Sequence, residues 1–402
     1  MSDLGTVVVA GGSLAGLRAV EALRRRGFDG RIAWIGGEQH LPYDRPPLSK
    51  QVLAGSWDAE RIALRKQPLS ELGAELYFGR RATALDIAAH EIVLDGSERV
   101  SFDGLVIATG ARPRTLGSPP ELAGVHTLRT LEDALTIRDL LERNPRVLIV
   151  GAGFIGLEVA AVCRKRSLPV TVVDTLSSPL NRTLGTAAGQ LVERIHRDEG
   201  VTFIFDRGVR ELVGGTGVEQ AILSDGTQLT ADLVIVGIGV VPETDWLTSS
   251  GIRLANGVVC DSSCATNIPG VVAAGDVARW ENPLFGASMR VEHWTNAVEQ
   301  ANAAVDRLLD GPAHAKPFAP APYFWSDQYN VKLQFVGHYS STDRVHVLEN
   351  DTAARRVVLV YESAGRITGA LTSNRPAALA KYRALIAAQT PIEAALSGHT
   401  SP

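Results

Sequence analysis

One design occurs twice in this chain. Residues 147–174, VLIVGAGFIGLEVAAVCRKRSLPVTVVD, run from an apolar stretch through a glycine-rich turn into a helix-like segment, then to a second apolar stretch ending in Asp174. Residues 6–38 repeat that order 140 positions earlier: the turn AGGSLAG at 10–16, a helix-like stretch at 17–26, a strand-like run at 31–35 and Glu38 beyond it. A strand that enters a helix through a tight turn and is followed by another buried-type strand is a βαβ unit. Its strands lie parallel and need cover on both faces. Two such units confine the chain to an α/β fold with two parallel sheets.

The turn residues carry chemistry as well as geometry. Gly151, Gly153 and Gly156 complete G-x-G-x-x-G between strand and helix. That spacing permits a tight turn, close approach of backbone to a pyrophosphate, and close packing of helix on strand. The helix start, at Phe154 and Ile155, then offers free N–H groups and a positive partial charge to phosphate. The earlier copy reads Gly11-x-Ser13-x-x-Gly16, with Ala15 inside it. Serine adds one small side chain there, and its hydroxyl can itself bond a phosphate oxygen.

A second pair of segments repeats as well. FDGLVIATGARP (102–113) and ADLVIVGIGVVP (231–242) each give an acid, a buried-type strand, a glycine turn and a proline, placing Ala108, Thr109 and Gly110 in one half and Gly237, Ile238 and Gly239 in the other. Each half so contains an opening βαβ unit and a closing strand, the makings of two dinucleotide folds for two different nucleotides. A duplicated scaffold with one dead site is the plainer alternative. In CATNIPGVVAAGDVAR (264–279), Gly275-Asp276 follows another buried-type strand. An Asp there can accept from ribityl hydroxyls while neighbouring N–H groups face a pyrophosphate. From residue 331 onward, VKLQFVGHY, RVHVLEN, RRVVLVYES and RITGALTS form short apolar or alternating bursts, which predict an antiparallel sheet closed by a final helix. The tail beyond about Gln389 has little pattern and is expected to be loosely held.

Composition narrows the partners. The longest apolar stretch, 147–163, is broken by three glycines and Glu158 and is too short to span a bilayer, so no membrane association is expected. The few residues before the first strand show none of the common targeting patterns, which points to the cytoplasm. Three cysteines, Cys163, Cys260 and Cys264, give neither a disulfide framework nor a metal-binding spacing, so redox chemistry is expected from a bound cofactor and no metal is expected. A net charge of −4 offers no footprint for nucleic acid.

Taken together, the paired glycine loops, Ala108-Thr109-Gly110 and T-x-x-P-x(5)-G-D resemble the FAD-dependent pyridine-nucleotide oxidoreductases of glutathione-reductase-like fold. PYDRPPLSK (42–50), VEHWTNA (291–297) and YFWSDQ (323–328) resemble more closely the ferredoxin reductases of bacterial aromatic-ring dioxygenase and cytochrome P450 systems. The resemblance runs from residue 5 to about 375. It implies an FAD domain in two segments, 1–112 and 243–320, an inserted NAD domain at 113–242, and a C-terminal α+β interface domain at 321–402. The activity implied is hydride transfer from NADH to FAD, then single electrons to a [2Fe–2S] ferredoxin feeding an oxygenase. The assembly implied is a monomer or homodimer.

By the same resemblance, Lys50 and Glu158 form an ion pair beside the flavin. Alone, each reads equally well as a solvated surface residue, but an acid on so apolar a helix is costly unless paired. Trp294 and Trp325 are candidates to line the isoalloxazine, Arg45 to reach the FAD pyrophosphate or adenine, and His293 reads as structural within the FAD set. Asp174 favours NADH, since an acid at that strand end accepts from the ribose 2′-OH and repels a 2′-phosphate, with no arginine following until Arg182. Arg61, Arg65, Lys66 and Arg290 are candidates for docking an acidic ferredoxin, or are solvated charges paired with local acids such as Glu60 and Glu71. Other readings stay open: a rubredoxin or quinone-type acceptor, a non-enzymatic NADH-sensing flavoprotein, and a thiol-using reductase, for which residues 38–50 supply no cysteine.

Overall fold

The structure, a computed structural model, describes residues 4–117 and 122–397. These group into two compact units, drawn from Met1–Asp44, Ile62–Arg112 and Val241–Pro322 and from Arg45–Arg61, Pro113–Val240 and Tyr323–Pro402.

In the first unit, five strands form one parallel sheet in the order Val271–Ala273, Gly104–Ile107, Thr6–Ala10, Arg31–Gly36 and Ala74–Phe78. Alternate residues of each strand serve two cores, as a period of two requires. Val7, Val9, Ile32, Trp34 and Val106 pack with the helices Leu14–Arg25 and Trp294–Asp310. Val8, Ala10, Ala33, Ile35 and Leu105 face the other way, toward the small antiparallel sheet of Ala82–Asp86, Glu91–Leu94 and Arg99–Ser101. Cover on both faces explains why these strands read as unbroken apolar runs.

The second unit repeats the plan. Thr202–Ile204, Val170–Val173, Val147–Val150, Leu233–Val236 and Val125–His126 make its parallel sheet. Val209–Val213, Gln220–Leu223 and Gln228–Thr230 make its small antiparallel one. It also contains a five-stranded antiparallel sheet, Tyr323–Gln328, Val331–Gly337, Arg366–Ser373, Arg356–Ser363 and Arg344–Asp351 in spatial order.

Two expectations need correction. The C-terminal sheet is followed by two helices, Pro376–Ala387 and Ile392–Leu396. The segment beyond Gln389 is held rather than loose as far as 397: Pro391 bridges to Arg366, and Ile392 and Ala395 are buried. Two apolar anchors in a short polar tail give too little periodicity to register in sequence. Residues 398–402 lie outside those described.

His196, on the helix Asn181–Asp198, is wholly buried, with ring contacts to Phe203 and Tyr329. Burial pulls its pKa down from 6.5 to about 4, against smaller upward pulls from Gln328 and Glu199, with Arg355 adding to the lowering. The unfolded chain so binds more protons between those values. Stability linked to His196 is fully present above pH 6.5 and is lost as pH falls toward 4, by about 2 kcal/mol between pH 7 and 5. The carboxylates Asp225 and Asp232, lowered to about 2, act in a more acidic window. His293, lowered to about 4 by burial, acts in the same direction as His196 in the first unit. Comparing urea unfolding of wild type and His196→Gln at pH 7 and pH 5 isolates the His196 share: the pH-dependent loss should be smaller in the variant by about that amount.

Candidate functional site

The second unit holds a cleft of about 430 Å³ at the carboxyl ends of its parallel strands. Gly151, Gly153, Asp174, Arg182, Gly237, Ile238 and Gly239, all singled out from sequence, line it. Phe154, Ile155, Gly156 and Glu158 are not among its lining residues. Phe154 packs edge-on to Phe324 at 4.6 Å, Ile155 is exposed, and Gly156 faces the strand. Asp174 accepts backbone N–H bonds from Ala152 (2.6 Å) and Leu176 (2.8 Å), so it ties the glycine loop to its own strand end.

The three glycines of the loop do different jobs. A Cβ on Gly151, whose φ is +103°, would lie 2.3 Å from the Gly237 carbonyl oxygen, and one on Gly156 would lie 2.4 Å from the Gly151 oxygen. Neither fits. A Cβ on Gly153 would meet only Gly237 O, at 3.8 Å. The middle position is therefore free within the protein, and its restriction would come from a ligand.

The same division explains Ser13. In the first unit, Cβ atoms on Gly11 and Gly16 would lie 2.0 Å from Ala108 O and 1.8 Å from Gly11 O. Ser13 instead occupies the extended backbone just before the helix Leu14–Arg25, where any residue fits. Gly275 comes beside this loop, since its Cβ would sit 3.0 Å from that of Ala15. Ala108 N–H bonds to Ala10 O (2.7 Å), and Thr109 donates to Glu243 O (2.8 Å) ahead of Gly110, at φ +73°. Trp294 Nε1 donates to Asp44 (2.7 Å) at the start of its helix, Tyr43 donates to Glu38, and His293 is half-buried. On that helix, buried Asn296 Oδ1 and Gln300 Nε2 have no hydrogen-bond partner among the described residues, and the Gln300 Oε1 takes the N–H of Gly275. Asp276 follows directly in the same short turn, Gly275–Val277. Close-approach glycines, a helix start and spare buried amide atoms fit a bound dinucleotide.

The second unit also carries the charged pair expected from sequence. Pro46 and Pro47 start the chain turning, and Val52 N–H reaches back to Pro47 O (3.0 Å), making a wide single turn over Leu48–Val52. That turn presents Lys50 to Glu158, near the start of the helix Phe154–Lys165, at 2.7 Å. Glu158 is only 4% exposed. It accepts two further bonds that sequence reading missed, from Ser49 (2.5 Å) and Ser326 (2.6 Å). Arg45 lies just ahead of this turn and donates to Arg129 O. Trp325 stacks on Tyr323, with ring centroids 6.1 Å apart.

Two known families between them cover most of the chain. Residues 5–301 match the model described as pyridine nucleotide-disulphide oxidoreductase, and 323–401 match one described as reductase C-terminal. The chain belongs to the pyridine nucleotide-disulphide oxidoreductase family. The family member before us is 37% identical to the 5,5′-dehydrodivanillate O-demethylase ferredoxin reductase subunit of a Sphingobium strain, over 96% of this chain and 94% of that one. It is 36% identical to the ferredoxin–NAD(+) reductase component of the anthranilate 1,2-dioxygenase system of Burkholderia cepacia, over 95% and 94%. It matches the reductase in a covalent putidaredoxin reductase–putidaredoxin complex with a TM-score of 0.90 at 33% identity, over 96% of this chain and 94% of that one.

Two family-level expectations resolve here. This oxidoreductase has no accessible thiol: all three cysteines are unpaired and buried, with Cys163 and Cys260 pushed up to about 12 and Cys264 well above its usual value by burial. A thiol so disfavoured as thiolate is a poor nucleophile, which removes the thiol-using reading. Arg65 and Arg290, for which sequence left docking and local pairing both open, show the pairing. Arg65 pairs with Glu21 (3.2 Å) and Glu71 (3.0 Å), and Arg290 with Glu292 (2.7 Å), so neither presents unbalanced charge. Sequence reading overlooked Arg207, which lines the cleft and is held by Asp225 at 2.6 Å. Its only signal was position, just past the edge strand Thr202–Ile204.

The unequal roles of the glycines are testable by substitution. Gly151→Ala and Gly156→Ala should lower the melting temperature of the protein by several degrees or prevent folding, because each Cβ strikes backbone. Gly153→Ala should melt within about two degrees of wild type, yet bind dinucleotide at least roughly tenfold more weakly by titration calorimetry.

Proposed function

We propose that this family member is an NADH-dependent ferredoxin reductase, passing electrons one at a time to a [2Fe–2S] ferredoxin that feeds a cytochrome P450 or ring-hydroxylating dioxygenase. The observation that carries the reading is the presence of two glycine cradles of one design in a chain whose thiols are all buried. Two nucleotides, rather than a nucleotide and a disulfide, then have to supply the redox chemistry. The names of the relatives, ferredoxin reductases of dioxygenase systems, point the same way.

In this reading the first-unit residues Gly11, Ser13, Ala15, Gly16, Glu38, Ala108–Gly110, Gly275, Asp276, His293 and Trp294 hold FAD. The second-unit cleft, with Gly151, Gly153, Asp174, Arg182 and Gly237–Gly239, takes NADH. FAD, when bound, supplies the conversion of a two-electron hydride into single electrons. The chain itself binds the pyrophosphates on the starts of its helices and orients each adenosine by an acid at a strand end. It also keeps a charged pair, Lys50 and Glu158, for the hydride-transfer step. Arg207 does not favour NADPH despite lining the cleft, because Asp225 already balances its charge. The cytoplasm, where NADH is generated, is the compartment this activity needs.

The test is direct. Purified protein should be yellow, should release FAD on heat denaturation, and should be bleached by NADH without oxygen, with NADPH at least roughly tenfold less effective. Colourless protein that FAD does not reconstitute, or flavin that NADH does not reduce, would overturn the proposal.

A further inference from the structure

The strand Tyr323–Gln328 turns Phe324, Ser326 and Gln328 inward and leaves the residues between them partly exposed. Two polar residues on a strand's buried face are unexpected, because burying them costs free energy unless every group is bonded. Both are bonded, and the bonds run in one direction.

Ser326 Oγ accepts from Gln328 Nε2 (3.0 Å), so its single proton is left for Glu158 Oε1, 2.6 Å away. Gln328 Oε1 faces His196 Nε2 at 2.8 Å, which requires the imidazole proton on Nε2. The other ring nitrogen, Nδ1, is then the acceptor for the Tyr329 hydroxyl at 3.0 Å. Tyr329 occupies the hairpin turn after the strand with φ +56°, a left-handed conformation that tyrosine rarely adopts. From Tyr329 through His196, Gln328 and Ser326, every donor points toward Glu158. Ser326, Gln328 and His196 are each no more than 1% exposed.

Such a chain polarises each successive bond and ends on a carboxylate that has only bonds to accept. It is not a proton wire, because the amide of Gln328 holds its protons. Its effect is orientation: Oε1 is fixed toward Ser326, and Oε2 is left to Ser49 and Lys50.

We propose that Ser326, itself set by Gln328 and His196, is a positioning residue for Glu158, so that the C-terminal sheet controls how the Lys50–Glu158 pair is presented to the hydride-transfer step. The part concerning hydride transfer rests on the function proposed above; the hydrogen-bond chain does not.

Two measurements on the holoenzyme separate them. Nitrogen-15 NMR of labelled histidine, with His196 assigned by its loss in His196→Gln, should show the Nε2-protonated tautomer at pH 7. In stopped-flow reduction by NADH, Ser326→Ala should slow flavin reduction about tenfold, the loss expected for one hydrogen bond to a charged group. The dissociation constant for NADH should change less than about twofold. Ser326→Thr should recover most of the rate. Gln328→Glu, whose carboxylate competes for the Ser326 proton at unchanged size, should reproduce the loss, with FAD content and melting temperature kept in each variant. An Nδ1-protonated His196 would turn the amide over and draw the Ser326 proton away from Glu158, which overturns the proposal. So would wild-type rates in Ser326→Ala, or a threonine variant no better than alanine. Wild-type flavin that NADH does not reduce would overturn the function reading instead, while the tautomer still decides the chain.

Discussion

Both nucleotide cradles depend on one close approach of backbone to backbone. The first glycine of each loop lies directly against the carbonyl oxygen that follows the closing strand, Ala108 O for Gly11 and Gly237 O for Gly151. In both sheets the chain leaves the first strand, pairs its second strand on one side, and returns to pair the closing strand on the other. The crevice at that reversal of strand order is where open parallel sheets receive ligands. A side chain on either glycine would push the closing strand away. The loop, the helix start and the acid at the next strand end would then lose their common reference.

The buried carboxylate follows a different logic. Removing an ionised carboxylate from water costs several kcal/mol, and its attraction to one lysine does not reliably offset this. Glu158 has Lys50, Ser49 and Ser326 together, and bonds to a charged group contribute about 1.5–3 kcal/mol each. The arrangement roughly balances rather than stabilises. An apolar residue on this helix would serve packing at least as well, so packing alone does not account for the cluster.

Much of this was legible in the sequence because it is local. Val147–Val150, the glycines and Asp174 lie within 28 consecutive residues, and their spacing alone specifies strand, turn, helix and strand. The pairing of Lys50 with Glu158 was reachable only through resemblance, since the two are 108 positions apart. The serines that complete the cluster gave no signal: Ser49 reads as part of a proline turn, and Ser326 as one polar residue in an aromatic strand. His196 and Gln328, 132 positions apart, look like ordinary helix and strand residues until folding brings them within 2.8 Å. Charge was left open for the opposite reason. Arg65 and Arg290 stand out in sequence, but the fold supplies their acids from Glu21, Glu71 and Glu292.

The electron count carries the acceptor side of the account. A [2Fe–2S] centre takes one electron, so the two electrons of each NADH have to leave the flavin separately. Anaerobic mixing of the holoenzyme with a fixed, limiting amount of NADH and excess oxidised [2Fe–2S] ferredoxin from a dioxygenase system, read by absorbance, tests this directly. The account expects two ferredoxins reduced for each NADH consumed, with the enzyme's flavin returning to its oxidised spectrum. NADH consumed with the flavin left reduced and the ferredoxin left oxidised would contradict it.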